Sequence, residues 1–339
     1  MAKVLLTGGS GFIAAHLLDL LLKRGYEVVT TVRSEDKAAK IREAHPGAKL
    51  TVAIVPDISQ PNAFDEVVKN HGEGLEYVQH TASPFHYGWT DAKTELLDPA
   101  IEGTLSILRA VKQHAPAVRR VVVTSSFAAI LSVPQLTDAS KTFSEADWNS
   151  LTYEEGLTGD KAGAYRASKK YAEKAAWDFV ATEKPGFDLA TICPPMVFGP
   201  VRHHVASLAA VNTSNQRFVD LLQGKWGAEI PASGVFVWVD VRDVALAHAN
   251  AMERAEAGGK RFFVTAGYYS NRDIVAAVRK NFPGLAAKLP AESVQGGGYP
   301  EGGVYKYDNS RATEILGIDW ISLEKSAIDT VKSLQALGA

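Results

Sequence analysis

The sequence predicts an α/β fold: a Rossmann-type doubly wound parallel sheet with a smaller C-terminal substrate-binding lobe. Short β-branched runs alternate with longer amphipathic stretches. The intervals between runs are long enough for the helical crossovers that parallel neighbours require. The first run, "KVLLT", leads straight into the glycine-rich "GGSGF", where such folds make their first strand-to-helix turn.

The elements follow in order. "KVLLT" is a strand, "AAHLLDLLLKRG" places apolar residues at helical spacing, and "YEVVTTV" completes a βαβ unit. Further strands are predicted at "KLTVAIV", "LEYVQHTA", "VRRVVVTSS" and "FDLATICPP". After Pro200 the pattern weakens until "GVFVWVDVRDVALAHANAME" supplies a strand and a helix and "KRFFVTAG" a final strand. The remaining tail is mixed and helical, with turns at "GGGYPEGG". This divides the chain into a nucleotide-binding lobe, residues 1–197 plus 236–266, and a smaller substrate-binding lobe, residues 198–235 plus 267–339.

Composition excludes several classes. With 339 residues, 46% hydrophobic, 22% charged and a net charge of -2, the chain reads as a soluble globular protein without attraction for nucleic acid or an anionic membrane. Small molecules are its expected partners. The single cysteine, Cys193, excludes an intrachain disulfide and a Cys-cluster metal site and fits a reducing compartment. No apolar run approaches the roughly 18 residues of a membrane span, and the N-terminus shows no signal-peptide pattern, so a cytoplasmic protein is expected. His203 and His204 have no third ligand at a workable spacing and read as loop residues; His80, at a strand end, reads as packed or hydrogen-bonded. No metal is expected.

In "TGGSGFIAAH" Gly8, Gly11 and Ala14 fall three apart between a strand and a helix. Glycine lets the backbone turn tightly and approach a pyrophosphate, which free N–H groups and the helix dipole then favour. The contacting set is Gly8, Ser10, Gly11, Phe12 and Ile13. At the end of the second strand, where NAD-preferring sites carry an acid, stands Val32, followed by Arg33 and, one turn later, Lys37. Two cations there suit the 2′-phosphate of NADPH/NADP+. Asp57 and Ile58 end the third strand, positioned for the adenine edge, and Ala82 and Ser83 end the fourth, beside the cofactor. Ser125 and Ser126 end the fifth and face the crevice, although either alone would read as a cap or turn residue. Tyr165 and Lys169, in "YRASK", share a helix face.

Together these motifs, with "PPMVFGP" and "VDVRDVALAH", resemble the extended short-chain dehydrogenase/reductase superfamily over nearly the whole chain. Within it, "VPDIS", "HTASPF", "SKKYAEKAAW" and "VNTS" are most similar to fungal NADPH-dependent methylglyoxal (isovaleraldehyde) and other carbonyl reductases. Plant dihydroflavonol and cinnamoyl-CoA reductases resemble it more distantly. The third fingerprint glycine is replaced by Ala14.

The resemblance implies NADPH-dependent reduction of aldehydes and ketones, with Ser126, Tyr165 and Lys169 catalytic. Lys169 would bind the nicotinamide ribose and lower the pKa of Tyr165, the proton donor; Ser126 would hold the carbonyl oxygen. The backbone around Pro194, Pro195 and Val197, with Ser214, would meet the carboxamide end of the cofactor. Phe85, Phe127, Met196 and Trp238 are candidates for an apolar pocket wall and equally for core. A nucleotide-sugar epimerase or dehydratase shares the fold and the Tyr-Lys pair but typically carries the acid absent at Val32. A non-catalytic NADP-sensing regulator would lack the Ser-Tyr-Lys set. The chain is expected to act as a monomer or homodimer.

Overall fold

In the first strand Val4 and Leu6 enter one hydrophobic cluster and Leu5 another, all three sealed from water. A strand buried on both faces needs helices on both faces. The computed structural model describes residues 2–83 and 88–339. Chain order is β1 (Lys3–Thr7), α1 (Phe12–Lys23), β2 (Glu27–Val32), α2 (Glu35–Ala44), β3 (Leu50–Ile54), α3 (Asp65–His71), β4 (Leu75–His80), α4 (Asp98–His114) and β5 (Arg120–Thr124). It continues with β6 (Thr142–Phe143), α5 (Tyr153–Thr158), α6 (Lys161–Glu183), β7 (Asp188–Cys193), β8 (Met196–Phe198), α7 (Gln216–Leu222), β9 (Val237–Asp240) and α8 (Val241–Glu253). The last elements are β10 (Lys260–Phe263), β11 (Gly267–Tyr268), α9 (Asn271–Asn281), β12 (Lys306–Tyr307), α10 (Ser310–Leu316) and α11 (Leu323–Ala336).

Seven parallel strands form the main sheet in the order β10-β7-β5-β4-β1-β2-β3. From β1 the chain first moves outward through β2 to β3, then returns to place β4 on the other side of β1. Crossovers diverge at that point, opening a crevice at the carboxyl ends of β1 and β4. Leu17 and Leu21 of α1 and Val244 and Ala247 of α8 cover one face; Val68 of α3, Ile107 and Leu108 of α4 and Ala176 of α6 cover the other. Each buried Leu or Val stabilises the layers by about 1.5–3 kcal/mol relative to exposure.

A second sheet, β11-β9-β8, packs with α7, α9 and α11 around Phe198, Phe218, Trp238, Tyr269 and Val331. Two elements near the expected lobe boundaries have partners that chain order does not suggest. The strand at 237–240, assigned with the nucleotide-binding lobe, pairs with β8 and β11 instead. Helix α10, assigned to the smaller lobe, buries Ala312 and Leu316 against α8 and the main sheet. Helix α10 thus finds its cover in the lobe that chain order does not suggest, while β9 turns Trp238 to the small-lobe cluster and Val239 to the main-sheet cluster. Among the described residues no helix is long and apolar enough to cross a membrane.

Candidate active site

The glycine loop is shaped by what its residues lack. Gly8 has φ +76, and a Cβ there would lie 3.0 Å from the Cα of Ala82; one on Gly9 would lie 2.1 Å from Thr30 Oγ1. Gly11 is the extended residue that starts α1, and no side chain caps it. The first N–H groups of α1, those of Phe12 and Ile13 among them, therefore face outward without helical acceptors. The loop is braced from below: Gly9 N donates to Thr31 O, Gly11 N to Gly8 O, and Ala82 N to Thr7 Oγ1 at 3.1 Å. A tight turn with no room for side chains against Ala82 and Thr30, opening on N–H groups that have no helical acceptor, fits a pyrophosphate.

Beside Ser10, at the end of β2, Arg33 and Lys37 are exposed. Desolvation and then the charge of Arg33 pull the Lys37 ammonium below its usual value. Among the described residues neither side chain has a hydrogen-bonded or ion-paired acid, so two facing cations lack the anion they would share. Asp57 lies within the field of Arg33, but its carboxylate already accepts from Ser59 N at 2.9 Å, Ser59 Oγ at 2.6 Å and Gln60 Nε2 at 2.7 Å. Those hydrogen bonds hold its pKa low and fix the loop after β3. Ile58 packs over Gly103 of α4.

Ser125 and Ser126, adjacent at the end of β5, have different tasks. Ser125 is buried and donates to the Glu173 carboxylate at 2.6 Å. Ser126 Oγ accepts from Ala128 N at 3.0 Å, which leaves its own proton to be given elsewhere. Its capping and its candidate catalytic role are compatible. On α6, Tyr165 and Lys169 are both half-buried, and Lys169 Nζ lies 6.0 Å from the centre of the Tyr165 ring. The Lys169 ammonium donates to Ser83 Oγ at 2.9 Å, and loss of solvation pulls its pKa down to about 8. The end of β4 thus meets the middle of α6. Beneath it His80, held by Thr7 Oγ1 at 2.9 Å, is pushed down to about 3 by burial and then by the Lys169 charge, so it is neutral at physiological pH.

Next to Ser126, Pro194 O accepts from Phe127 N at 2.9 Å, and Val197 N donates to Ser214 Oγ at 3.3 Å. Pro194, Val197 and Ser214 are brought together, with Ser214 supporting the Val197 backbone. Two pocket-wall candidates prove to be core. Phe127, 1% exposed, stacks on Phe263 at 4.7 Å and touches Phe143 and Tyr305; Trp238, 2% exposed, stacks on Phe198 at 5.8 Å. Apolar residues beside a catalytic strand end can turn inward as easily as outward, and these two turn inward. Met196 is half-buried; Phe85 lies outside the described residues.

Some contributors escape the sequence reading. The segment after Pro200 folds over the start of α1: His16 bonds Pro200 O at 2.8 Å, Arg202 pairs with Asp19 at 3.3 Å, and the His203 ring lies 5.8 Å from that of Phe12. It walls a cavity of about 1020 Å³ shared by Gly9, Ser10, Lys37 and Lys40. Nothing in the spacing of "VRHH" signals this contact. Asn149 and Glu173 form buried polar struts beside the site; the four-residue interval from Lys169 to Glu173 was visible in the sequence. Among the described residues no cluster of three His, Cys, Asp or Glu could hold a metal.

The fold and site define an extended dinucleotide-binding protein with a Ser, Tyr and Lys at the mouth of its crevice. The chain belongs to the NAD dependent epimerase/dehydratase family, which matches residues 4–266. It is 45% identical to a ketoreductase of Aspergillus niger, azaE, over 98% of this chain and 97% of the relative. It is 36% identical to the NADPH-dependent methylglyoxal reductase GRE2 of Saccharomyces cerevisiae, over 98% of each chain. The crystal structure of the yeast methylglyoxal/isovaleraldehyde reductase Gre2 complexed with NADPH superposes with a TM-score of 0.87 at 35% identity, over 98% of each chain.

Proposed function

We propose that this chain is an NADPH-dependent carbonyl reductase that converts small aldehydes and ketones, methylglyoxal among them, to alcohols. The observation that carries the reading is that the turn capped by Ser126 is bridged through Asn149 to the stretch of α6 that holds Tyr165 and Lys169, beside a glycine turn whose outer end presents Arg33 and Lys37 with no hydrogen-bonded or ion-paired acid among the described residues. Gly8, Ser10, Gly11, Phe12 and Ile13 would hold the pyrophosphate, Arg33 and Lys37 the 2′-phosphate, Lys169 and Ser83 the nicotinamide ribose, and the Pro194–Val197 backbone with Ser214 the carboxamide end. When bound, NADPH supplies the hydride.

Ser126 donates its free proton to the substrate oxygen and so orients the carbonyl. Tyr165 delivers the proton that the oxygen requires as it gains electron density. Lys169, already short of solvation, keeps its charge when it gains hydroxyl acceptors, and that charge favours the phenolate left on Tyr165. The reading extends to a cytoplasmic enzyme acting as a monomer or homodimer; the buried thiol of Cys193 is consistent with a reducing compartment.

Loss of NADPH absorbance in the presence of methylglyoxal, branched aldehydes, aryl ketones and dihydroflavonols tests the proposal. Turnover of an aldehyde or ketone is expected, reduced at least about a hundredfold in Tyr165→Phe with NADPH binding retained. Purified protein carrying tightly bound NAD and no carbonyl turnover would favour an epimerase instead.

A further inference from the structure

Tyr165, Lys169 and Glu173 follow at four-residue intervals on α6 and share one face. Glu173 is sealed from solvent, 1% exposed. Its carboxylate accepts from Ser125 Oγ at 2.6 Å, Thr191 Oγ1 at 2.7 Å, and Arg261 through Nε at 2.7 Å and Nη2 at 3.1 Å. Ser125 adjoins the end of β5, Thr191 lies on β7 and Arg261 on β10, so one carboxylate ties the catalytic helix to three strands. Arg261 reaches further: Nη1 donates to the carbonyls of Glu145 and Asp147 at 2.6 and 2.7 Å, and the guanidinium lies 3.6 Å from the centre of the Trp148 ring.

The segment held this way ends at Asn149, itself 2% exposed. Asn149 Nδ2 donates to Ala128 O at 2.7 Å and Arg166 O at 3.0 Å, and its backbone N–H donates to Ala129 O at 2.8 Å. Ala128 belongs to the turn that Ser126 caps, and Arg166 follows Tyr165. Asn149 therefore links the backbones that carry the two candidate catalytic hydroxyls.

Stability alone is a weak reason for such a network, because a buried ion pair is often no more stabilising than apolar side chains of the same volume. Nor does Glu173 act through charge on Lys169: Arg261 balances the carboxylate, and the lowered Lys169 pKa follows from desolvation. Geometry remains. We infer that Glu173, Arg261 and Asn149 are positioning residues for carbonyl reduction, setting the rotation and depth of α6 against the end of β5 so that the Ser126 and Tyr165 hydroxyls meet at one oxygen. This rests on the reading of the site given above. None of the three touches the reacting atoms, and a misplacement of about 1 Å can cost about a hundredfold in rate.

Three variants test it, each measured for kcat, carbonyl KM, NADPH dissociation constant by fluorescence, melting temperature and the pH profile of kcat. Ser125→Ala cuts the tether to β5 and leaves the ion pair; Asn149→Ala cuts the second strut. Both are expected to lower kcat by about ten- to a hundredfold, with KM, NADPH affinity and the midpoint of the pH profile close to wild type. Glu173→Met/Arg261→Met removes both charges together but leaves the Glu145 and Asp147 carbonyls without their Arg261 donor; it is expected to fold with a lowered melting temperature and, assayed well below it, to keep the low kcat. Recovery of kcat in that double variant, or full activity in Ser125→Ala and Asn149→Ala, would reduce the network to a structural role. A displaced pH midpoint would replace the geometric role with an electrostatic one. Absence of carbonyl reduction in the wild type would sink the functional reading itself, whereas an active wild type with unimpaired variants sinks only this inference.

Discussion

Arg33 and Lys37 face the same solvent without a shared acid, and the lowered pKa of Lys37 records burial and their mutual repulsion. A 2′-phosphate placed between them converts repulsion into charge-assisted hydrogen bonds, each contributing about 1.5–3 kcal/mol. At about 1.4 kcal/mol per decade, Arg33→Ala should weaken NADPH binding roughly ten- to a hundredfold and leave NADH binding nearly unchanged. Fluorescence titration of both cofactors decides it; equal loss with both would remove Arg33 as the phosphate reader. Lys169 makes a different kind of contribution. Its ammonium already bonds Ser83 and lies beside Tyr165, so Lys169→Ala should damage cofactor affinity and turnover together. A change in only one of them would separate the two roles.

At the scale of elements, the turn from β1 to α1 tolerates no side chain where it crosses β2. A methyl on Gly9 would enter the space of Thr30 Oγ1, which is itself buried and bonded to Leu6 O at 2.8 Å. Gly9→Ala should therefore push the loop off β2, weaken NADPH binding by at least about tenfold and lower the melting temperature, since overpacking typically costs about 1–3 kcal/mol. Thr30→Ala added to it removes the two nearest atoms and should restore part of both; no recovery would mean that the clash lies elsewhere. The glycine spacing and the alternation of strand and helix made this turn legible in the sequence, as they did all seven strands of the main sheet. Two things were not legible. Lobe membership of β9 and α10 depends on which apolar face each meets, and local periodicity does not state it. The inward turn of Phe127 and Trp238 is likewise decided by tertiary partners, Phe263 and Phe198, remote in sequence.

For the whole molecule, the passage from β9 into α8 joins the two lobes without a flexible link. Asp240, fully buried, ends the small-sheet strand, caps α8 through Arg242 N at 2.8 Å, and holds the Arg242 side chain, which reaches Asp329 of α11 at 2.6 Å. One turn on, Asp243 is 3% exposed and accepts from Ile321 N at 2.9 Å, fastening the C-terminal segment to the same helix. Burial and then the charge of Asp240 push its pKa up to about 7, against the partial relief of the Ile321 hydrogen bond and Arg242. The folded protein therefore keeps a proton on Asp243 that the unfolded chain, with an ordinary carboxyl near 3.9, gives up. Stability from this group is full below about pH 4 and is lost as pH rises to about 7, by at most about 1.4 kcal/mol per pH unit. His80 and His248, both held near 3 by burial, act in the opposite sense, since the unfolded chain binds their protons first and stability rises with pH up to about 6.5. The wild-type profile mixes these contributions, so the informative quantity is the difference from Asp243→Asn, which keeps an acceptor for Ile321 N but cannot ionise. The amide adds a fixed cost for its buried N–H groups, independent of pH. Urea melts of both proteins between pH 5 and pH 8 should show the variant gaining stability relative to wild type as pH rises, with the gain levelling off above about pH 7. A difference that stays constant across that range would show that Asp243 is already ionised in the folded protein at pH 5.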